Sequence, residues 1–549
     1  MAMKNNSRRW EVLGKSSKFP PNLKEIEKIL LRNRGVKGDK AKKEFLSPTS
    51  PDKLSLKSLG ISKSQVKKAA QRIKKAGRKG EMIIVYGDYD ADGICATAIL
   101  WERLYSLGLN VLPYIPERFS EGYGLNAKSI KKLKEENPNL GLIITVDHGI
   151  VASSKVDVAK KLGIDVIITD HHQPGKKKPK SYSLVHTTQV GGAAIAWILA
   201  REIKSSPGGL ELVAIGTIAD QLPLIGANRS FAKFGLEALN TTQRVGLNAL
   251  YSEAAVVKGD IGPYEVGFII APRINAMGRL VHAIDSLRLL CTKKEGRARK
   301  LARLLNKTNL ERQRIVEEVV LHARGSVVGT KGIIVLAHES YHEGVIGLAA
   351  AKLVEEFYRP AIVISKKGSV AKASARSISG FNIIEAIRKL EDDLLEGGGH
   401  PMAAGFSIET GKIDGFSKRI NEVSASLLTE EVLTKKLKID MEIGFAQLGE
   451  ELLALVKSFE PTGLANPAPI FATRGVAIVE ARVVGKEGTH LKLVLKKSGS
   501  TLEAIAFGLG GIYKSISPET KIDIAYILEE NTWKERKSLQ LKVKDLKVA

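Results

Sequence analysis

Two cysteines, Cys95 and Cys291, are all that 549 residues contain. That scarcity excludes a disulfide framework and a Cys-rich zinc site. Cys95, just past an acidic cluster, reads as a small buried residue at a helix start. Aromatic residues amount to 5%, so binding by ring stacking alone is not the expectation. No apolar run approaches membrane-spanning length, and "MAMKNNSRRW" has no apolar signal region, so a soluble, cytoplasmic setting without membrane contact is expected. Acidic residues are outnumbered: 59 Asp and Glu stand against 85 Lys and Arg, a formal net charge of +26. Such a balance calls for a polyanionic partner, nucleic acid first and an anionic membrane surface second. What is present in ordinary measure is apolar residue, at 44%, in a chain long enough for several domains.

Residues 1–55 are polar and Lys-rich, are punctuated by Pro20, Pro21, Pro48 and Pro51, and read as a loosely ordered extension. In 64–80, Val66, Ala69, Ala70 and Ile73 fall on one helical face, which assigns Lys67, Lys68, Arg72, Lys74 and Lys75 to the wet one. From residue 82 apolar strands alternate with helix-length segments: "MIIVY", "GLIITVDHG" (141–149) and "IDVIITDHH" (164–172) are the strands. This alternation predicts βαβ crossovers and a parallel sheet. Residues 297–325 predict a long bridging helix. A second α/β segment opens with "KGIIVLAHE" (331–339), continues through a helix over 381–396, and holds the Gly-rich "GGGHPMAAGFSI" (397–408) as a loop. From about 430 the short strand-like runs suggest a small β-barrel. The expected divisions are 1–55, 56–250, 251–330, 331–428 and 429–549.

The chemistry gathers where strands end. "GDYDADG" places Asp88, Asp90 and Asp92 after the first strand, "TVDHG" places Asp147 after the second, and "TDHH" places His171 and His172 after the third. "IGTIADQLPL" (215–224) sets Asp220 behind another apolar run. The carboxyl edge of a parallel sheet is where open α/β folds bind ligands. One Asp there is an ordinary helix cap; three successive acidic or imidazole termini point to divalent cations. Carboxylates with one or two imidazoles suit Mg²⁺ or Mn²⁺. The donors exceed one ion's needs, and two ions sharing a carboxylate clamp the attacking and leaving oxygens of a displacement at phosphorus. An Asp-x-Asp phosphatase of the haloacid-dehalogenase type fits less well, because Gly93-Ile94 follow the pair and the two histidines have no role in it.

In order along the chain, "YGDYDADG", "ERFSEGYGLN" (117–126), "VDHGI", "TDHHQP", "GTIADQLPL", "APRINAMGRL" (271–280), "ASARSISGFN" (373–382), "GGGHPMAAGFSI" and "PTGLANPAPIF" (461–471) resemble the DHH phosphoesterase superfamily, closest to its single-stranded-DNA exonucleases. The resemblance implies a parallel-sheet catalytic domain, an associated substrate-binding α/β domain and a C-terminal OB-fold barrel. It implies two Mn²⁺ or Mg²⁺ ions, with Asp90 on one, Asp92, His171 and Asp220 on the other, Asp147 bridging, Asp88 beside them as a weaker ligand, and His172 facing the scissile phosphate. Tyr86 stands where pyrophosphatase-like relatives have a His. For substrate binding the resemblance nominates Ser374, Arg376 and His400, with Arg118, Tyr123, Arg273, Asn275 and Arg279 able to line the same site. The implied activity is 5′-to-3′ hydrolysis of single-stranded DNA to nucleoside 5′-monophosphates in repair and recombination, with single-strand-binding protein and a helicase as partners. Two alternatives stand beside it: a phosphodiesterase for short oligoribonucleotides or cyclic dinucleotides, and a non-catalytic single-strand-binding scaffold. On this reading, removing the chain from about 430 onward weakens long-strand binding more than chemistry on short substrates.

Overall fold

The computed structural model describes residues 8–16, 18–327, 332–533 and 536–548. They form two compact units. One comprises 34–310 with 457–468; the other comprises the segment ending at Asn33, 311–456, and the segment from Pro469 onward.

The first unit is built on a five-stranded parallel sheet in the order Val111–Tyr114, Met82–Tyr86, Leu140–Val146, Asp165–Asp170, Ser183–His186. Its strands are mostly apolar because both faces are covered. Ile83, Val85, Leu142 and Ile144 pack among residues of helices Lys63–Arg78, Ala91–Ser106 and Gly192–Ile203. The alternate residues Ile84, Tyr86, Ile143 and Ile168 pack on Ile130 and Leu133 of helix Ala127–Glu136 and Val156 of helix Ser153–Lys161. Each buried aliphatic contributes about 1.5–3 kcal/mol relative to exposure. The chain leaves Met82–Tyr86 toward Val111–Tyr114 on one side and returns to Leu140–Val146 on the other. At this reversal the crossover helices lie on opposite faces, and the carboxyl ends of Met82–Tyr86 and Leu140–Val146 are where open α/β sheets bind ligands.

The second unit holds a mixed five-stranded sheet in the order Leu394–His400, Ala403–Glu409, Val370–Arg376, Ala361–Lys367, Ile334–His338. It also holds a closed barrel of Phe471–Val484, His490–Lys497, Ser500–Ala506, Arg536–Val548 and Lys521–Trp533, the last strand pairing back onto the first. The fold class expected from the sequence, parallel α/β with a second α/β domain and a terminal barrel, is the one observed. The long helix spans Glu295–Ser326. Among the described residues, no helix is long and apolar enough to cross a membrane.

Several local expectations are corrected. The segment 1–55 is not loosely ordered where it is described: Arg9–Gly14 is a strand parallel to Lys436–Glu442, and Leu23–Asn33 and Asp39–Leu46 are helices. Buried Ile26, Ile29 and Leu30 supply the apolar stripe that the prolines disguised. Arg72 is buried rather than wet, ion-paired to Asp165 and Glu81 at 2.6 Å each. The helix expected over 381–396 stops at Arg388, and "GGGH" is not a loop but the end of the edge strand Leu394–His400. Asp220 follows a helix, Leu210–Ala219, not a strand.

Candidate metal centre and phosphate site

Asp88, Asp90 and Asp92 follow strand Met82–Tyr86 because the apolar run must stop where the sheet does. Asp90 is the N-cap of helix Ala91–Ser106, its Oδ1 accepting from the Gly93 N–H at 2.9 Å. The capping role leaves the rest of its carboxylate for another ligand. Asp92, 2% exposed, accepts from the N–H groups of Gly192 and Ala193 at 2.7 and 2.9 Å, at the start of helix Gly192–Ile203. Asp147 ends the neighbouring strand with a φ of 67°, a left-handed conformation costly for a non-glycine and common at functional sites. A Cβ on Gly192 would overlap Asp147, and one on Gly216 would overlap Asp92. These two glycines let helices close onto the carboxylates, and the motif reading had not singled them out.

His171 joins the strands to the helix end. Its Nε2 lies 3.0 Å from Asp147 Oδ1, 3.6 Å from Asp220 Oδ2 and 3.9 Å from Asp92 Oδ2. Potential ligand atoms therefore converge in three overlapping groups: Asp88, Asp90 and Asp147; Asp92, His171 and Asp220; and Asp147, His171 and His172. The electrostatics match a place made for cations. Burial, then Asp92, Asp90 and Asp88, hold the Asp147 carboxyl well above its usual range; burial and Asp90 do the same to Asp88. Asp220 is pushed up to about 8 by burial and by Asp92, and burial lowers His171. Asp88 Oδ1 and Asp147 Oδ1 are buried without a hydrogen-bond partner. Oxygen donors with one or two imidazoles, two of the oxygens orphaned, fit Mg²⁺ or Mn²⁺.

Beside this centre Asp170, which the sequence reading left out, holds His172. Its Oδ1 takes the ring Nδ1 at 2.8 Å and the His172 N–H at 3.0 Å, while Oδ2 takes the Ile150 N–H at 2.8 Å. Burial opposes ionisation of Asp170, but the bonds from His172 and Ile150 bring its pKa down to about 2. The Asp170 bond in turn raises His172, which is half exposed. The available signal was an Asp two residues before a His at a strand end.

The other nominated residues divide. The Tyr123 ring stands edge-on to His172 at 6.0 Å, and Arg118 lies over Tyr89 at 5.1 Å. Burial, then Asp88, pushes Tyr89 up to about 12, with Arg118 and Arg279 pulling the other way. Asn275 accepts from the Ala91 N–H at 2.8 Å and so steadies the acidic turn. Arg273 donates to Asn306 and to the Ile269 carbonyl. Tyr86 belongs to the core, ring to ring with Tyr114 and His148.

In the second unit, strand register sets His400 opposite Ala403 and Ala403 opposite Arg376, with Ser374 one pair along the same face. Arg376 Nη1 donates to Ser374 Oγ at 3.1 Å. Gly347, in the first turn of helix Ile346–Phe357, sits so close that a Cβ would fall 2.9 Å from both side chains. A guanidinium, a hydroxyl and a helix N-terminus together make a receptor for an anion such as phosphate.

Three stretches of the chain match known protein families. Residues 82–217 match the DHH family N-terminal domain, 329–426 the DHHA1 domain and 439–545 the RecJ OB domain. The chain is 38% identical to the single-stranded-DNA-specific exonuclease RecJ of Bacillus subtilis over 88% of its length, spanning 63% of that protein. It is 30% identical to the protein of that name from Salmonella typhimurium, covering 88% of this chain and 90% of that one. The crystal structure of RecJ with Mn²⁺ from Thermus thermophilus superposes with a TM-score of 0.83 at 30% identity, over 98% of this chain and 80% of that one.

Proposed function

This chain belongs to the RecJ family of DHH phosphoesterases, and from that premise we propose that it is a metal-dependent exonuclease degrading single-stranded DNA to nucleoside 5′-monophosphates. The convergence of three acidic and imidazole groups at the sheet's reversal point carries the reading. Crystal structures of relatives hold Mn²⁺ or Mg²⁺. Asp90, with Asp88 nearby, would hold one such ion, and Asp92, His171 and Asp220 would hold a second, with Asp147 within reach of both groups. When bound, they supply charge neutralisation at phosphorus and an activated water.

The protein's own groups do the rest. Asp92 is locked by two backbone N–H groups, so its donor atoms do not wander. Asp170 keeps His172 oriented and readily protonated, so that its other nitrogen donates to a phosphoryl oxygen as charge accumulates. Tyr123 and Arg118 flank that position and offer a ring and a cation to the strand. Ser374, Arg376 and His400 take a substrate phosphate on the second unit. A 5′-to-3′ direction, a role in DNA repair and recombination, a cytoplasmic location, and single-strand-binding protein and helicase partners complete the proposal.

A small-substrate phosphodiesterase is disfavoured by the barrel and by the +26 charge, since a dinucleotide needs no long basic track. End-labelled single strands incubated with Mn²⁺ or EDTA test the reading. Mononucleotides released successively from the 5′ end support it. Cleavage confined to dinucleotides would replace it with the small-substrate reading, and binding without turnover with a scaffold.

A further inference from the structure

The catalytic unit recruits a segment from far along the chain. Residues 457–468 lie in sequence within the region that goes on to form the barrel, yet they pack with 34–310. What holds them is Arg229, 1% exposed in the first turn of helix Gly226–Thr241. Its Nε donates to the Phe45 carbonyl at 2.7 Å. Its Nη1 donates to the carbonyls of Phe459 and Pro461 at 3.0 Å each, and its Nη2 to those of Ser458 and Glu460 at 3.2 and 2.7 Å. A guanidinium has five N–H donors, and five backbone oxygens take them. The ring of Phe45 lies 4.2 Å beneath.

A second brace repeats the pattern. Arg34 Nε donates to the Asn466 side-chain oxygen at 2.9 Å and Nη2 to the Pro467 carbonyl at 2.7 Å. Asn466, fully buried, donates in turn to the carbonyls of Phe459 and Pro461. So much fixation of a short irregular segment needs a reason, and its contacts supply one. The Leu464 carbonyl accepts the Leu224 N–H at 2.7 Å, and Gly463 lies against the Leu224 side chain. Leu224 is four residues beyond Asp220. Between them the chain turns through Gln221 at a φ of 53°, so the connection from helix Leu210–Ala219 to helix Gly226–Thr241 is pinned at its far end by this segment. Asp92 is gripped through its carboxylate; Asp220, at a helix end with its side chain one third exposed, takes its place from its backbone.

We propose that residues 457–468 are a strut that sets Asp220 in the metal centre, with Arg229 and Asn466 as positioning residues. The inference rests on the metal reading above. A ligand displaced by a fraction of an ångström loses affinity and rate without loss of fold.

The test uses the full-length protein and measures Mn²⁺ binding directly, by electron paramagnetic resonance without DNA. Asn466→Ala and Arg229→Lys should weaken Mn²⁺ binding about tenfold. Turnover at limiting Mn²⁺ should fall in step and recover with excess Mn²⁺, while KM for the strand stays unchanged. Ile73→Ala, a core change in the same unit, should lower the melting temperature yet bind Mn²⁺ as the parent does. If Arg229→Lys does not fold, Gly463→Ala disturbs the Leu224 contact and leaves both arginine braces in place. Variants that melt early but bind Mn²⁺ normally would reduce the strut to a fold element and overturn the proposal. A parent protein that binds no Mn²⁺ would instead bring down the metal reading beneath it.

Discussion

Asp147 is the residue on which the centre closes. It touches two of the three ligand groups and is held in a left-handed backbone conformation. Asp147→Asn keeps the shape and removes the charge. Cleavage should fall about 10⁴-fold or more, the scale of losing one member of a catalytic unit, while single-strand affinity stays within about twofold because the basic surface is untouched. Single-turnover cleavage and a filter-binding titration check both halves. Asp220 yields a pH prediction. Its carboxyl is raised from 3.8 to about 8, so the metal-free folded state gains from this group at low pH and loses that gain as pH rises through about 8. A bound cation takes the proton's place, so Mn²⁺ should raise the melting temperature more at about pH 9 than at about pH 6, with proton release on binding. Equal gains at both pH values would refute it. The acid and imidazole residues were legible because each closes an apolar run. Gly192 and Gly216 were not, since what matters there is an absent Cβ facing a carboxylate from a distant part of the chain.

At the scale of the element, the hairpin Leu394–His400 with Ala403–Glu409 shows where sequence patterning runs out. Three glycines look like a loop, yet they lie in register with Phe406, Gly405 and Ala404 as an exposed edge strand. Backbone pairing, which no side-chain pattern announces, is what makes the strand. Two adjacent glycines now separate. A Cβ on Gly398 meets nothing within 4 Å, whereas Gly399, at a φ of +155°, would drive one into the Ala403 carbonyl and Ala404. Gly398→Ala should therefore leave melting and phosphate affinity unchanged. Gly399→Ala should cost about 1–3 kcal/mol and weaken phosphate binding by displacing His400, readable by thermal denaturation and by calorimetric titration with a nucleoside monophosphate. Arg72 teaches the same lesson in reverse. Its position in a basic run marks it as wet, but Asp165 and Glu81, close in space, make burial tolerable.

At the scale of the molecule, order in sequence and order in space part company. Reading domains as consecutive blocks leads to the expectation that removing residues from about 430 onward spares chemistry on short substrates. Two observations oppose that. Strand Arg9–Gly14 pairs with Lys436–Glu442, so the cut would leave the first strand without its partner, and four of the five carbonyls that receive Arg229 lie at 458–461. Contacts more than 200 residues apart leave no local trace in composition or periodicity, which is why the sheet and the acidic and imidazole residues at its edge were legible and this dependence was not. With those acceptors gone, the guanidinium of Arg229 keeps only the Phe45 carbonyl, and the Leu464 carbonyl that takes the Leu224 N–H is lost with them. The truncated chain should therefore melt well below the parent and lose Mn²⁺ binding together with cleavage of trinucleotides. Charge reversal on the barrel alone, Lys492→Glu with Lys542→Glu, should spare both and flatten only the salt dependence of long-strand binding. Trinucleotide turnover at the parental rate in the truncated chain would show that the barrel region is dispensable to the centre after all.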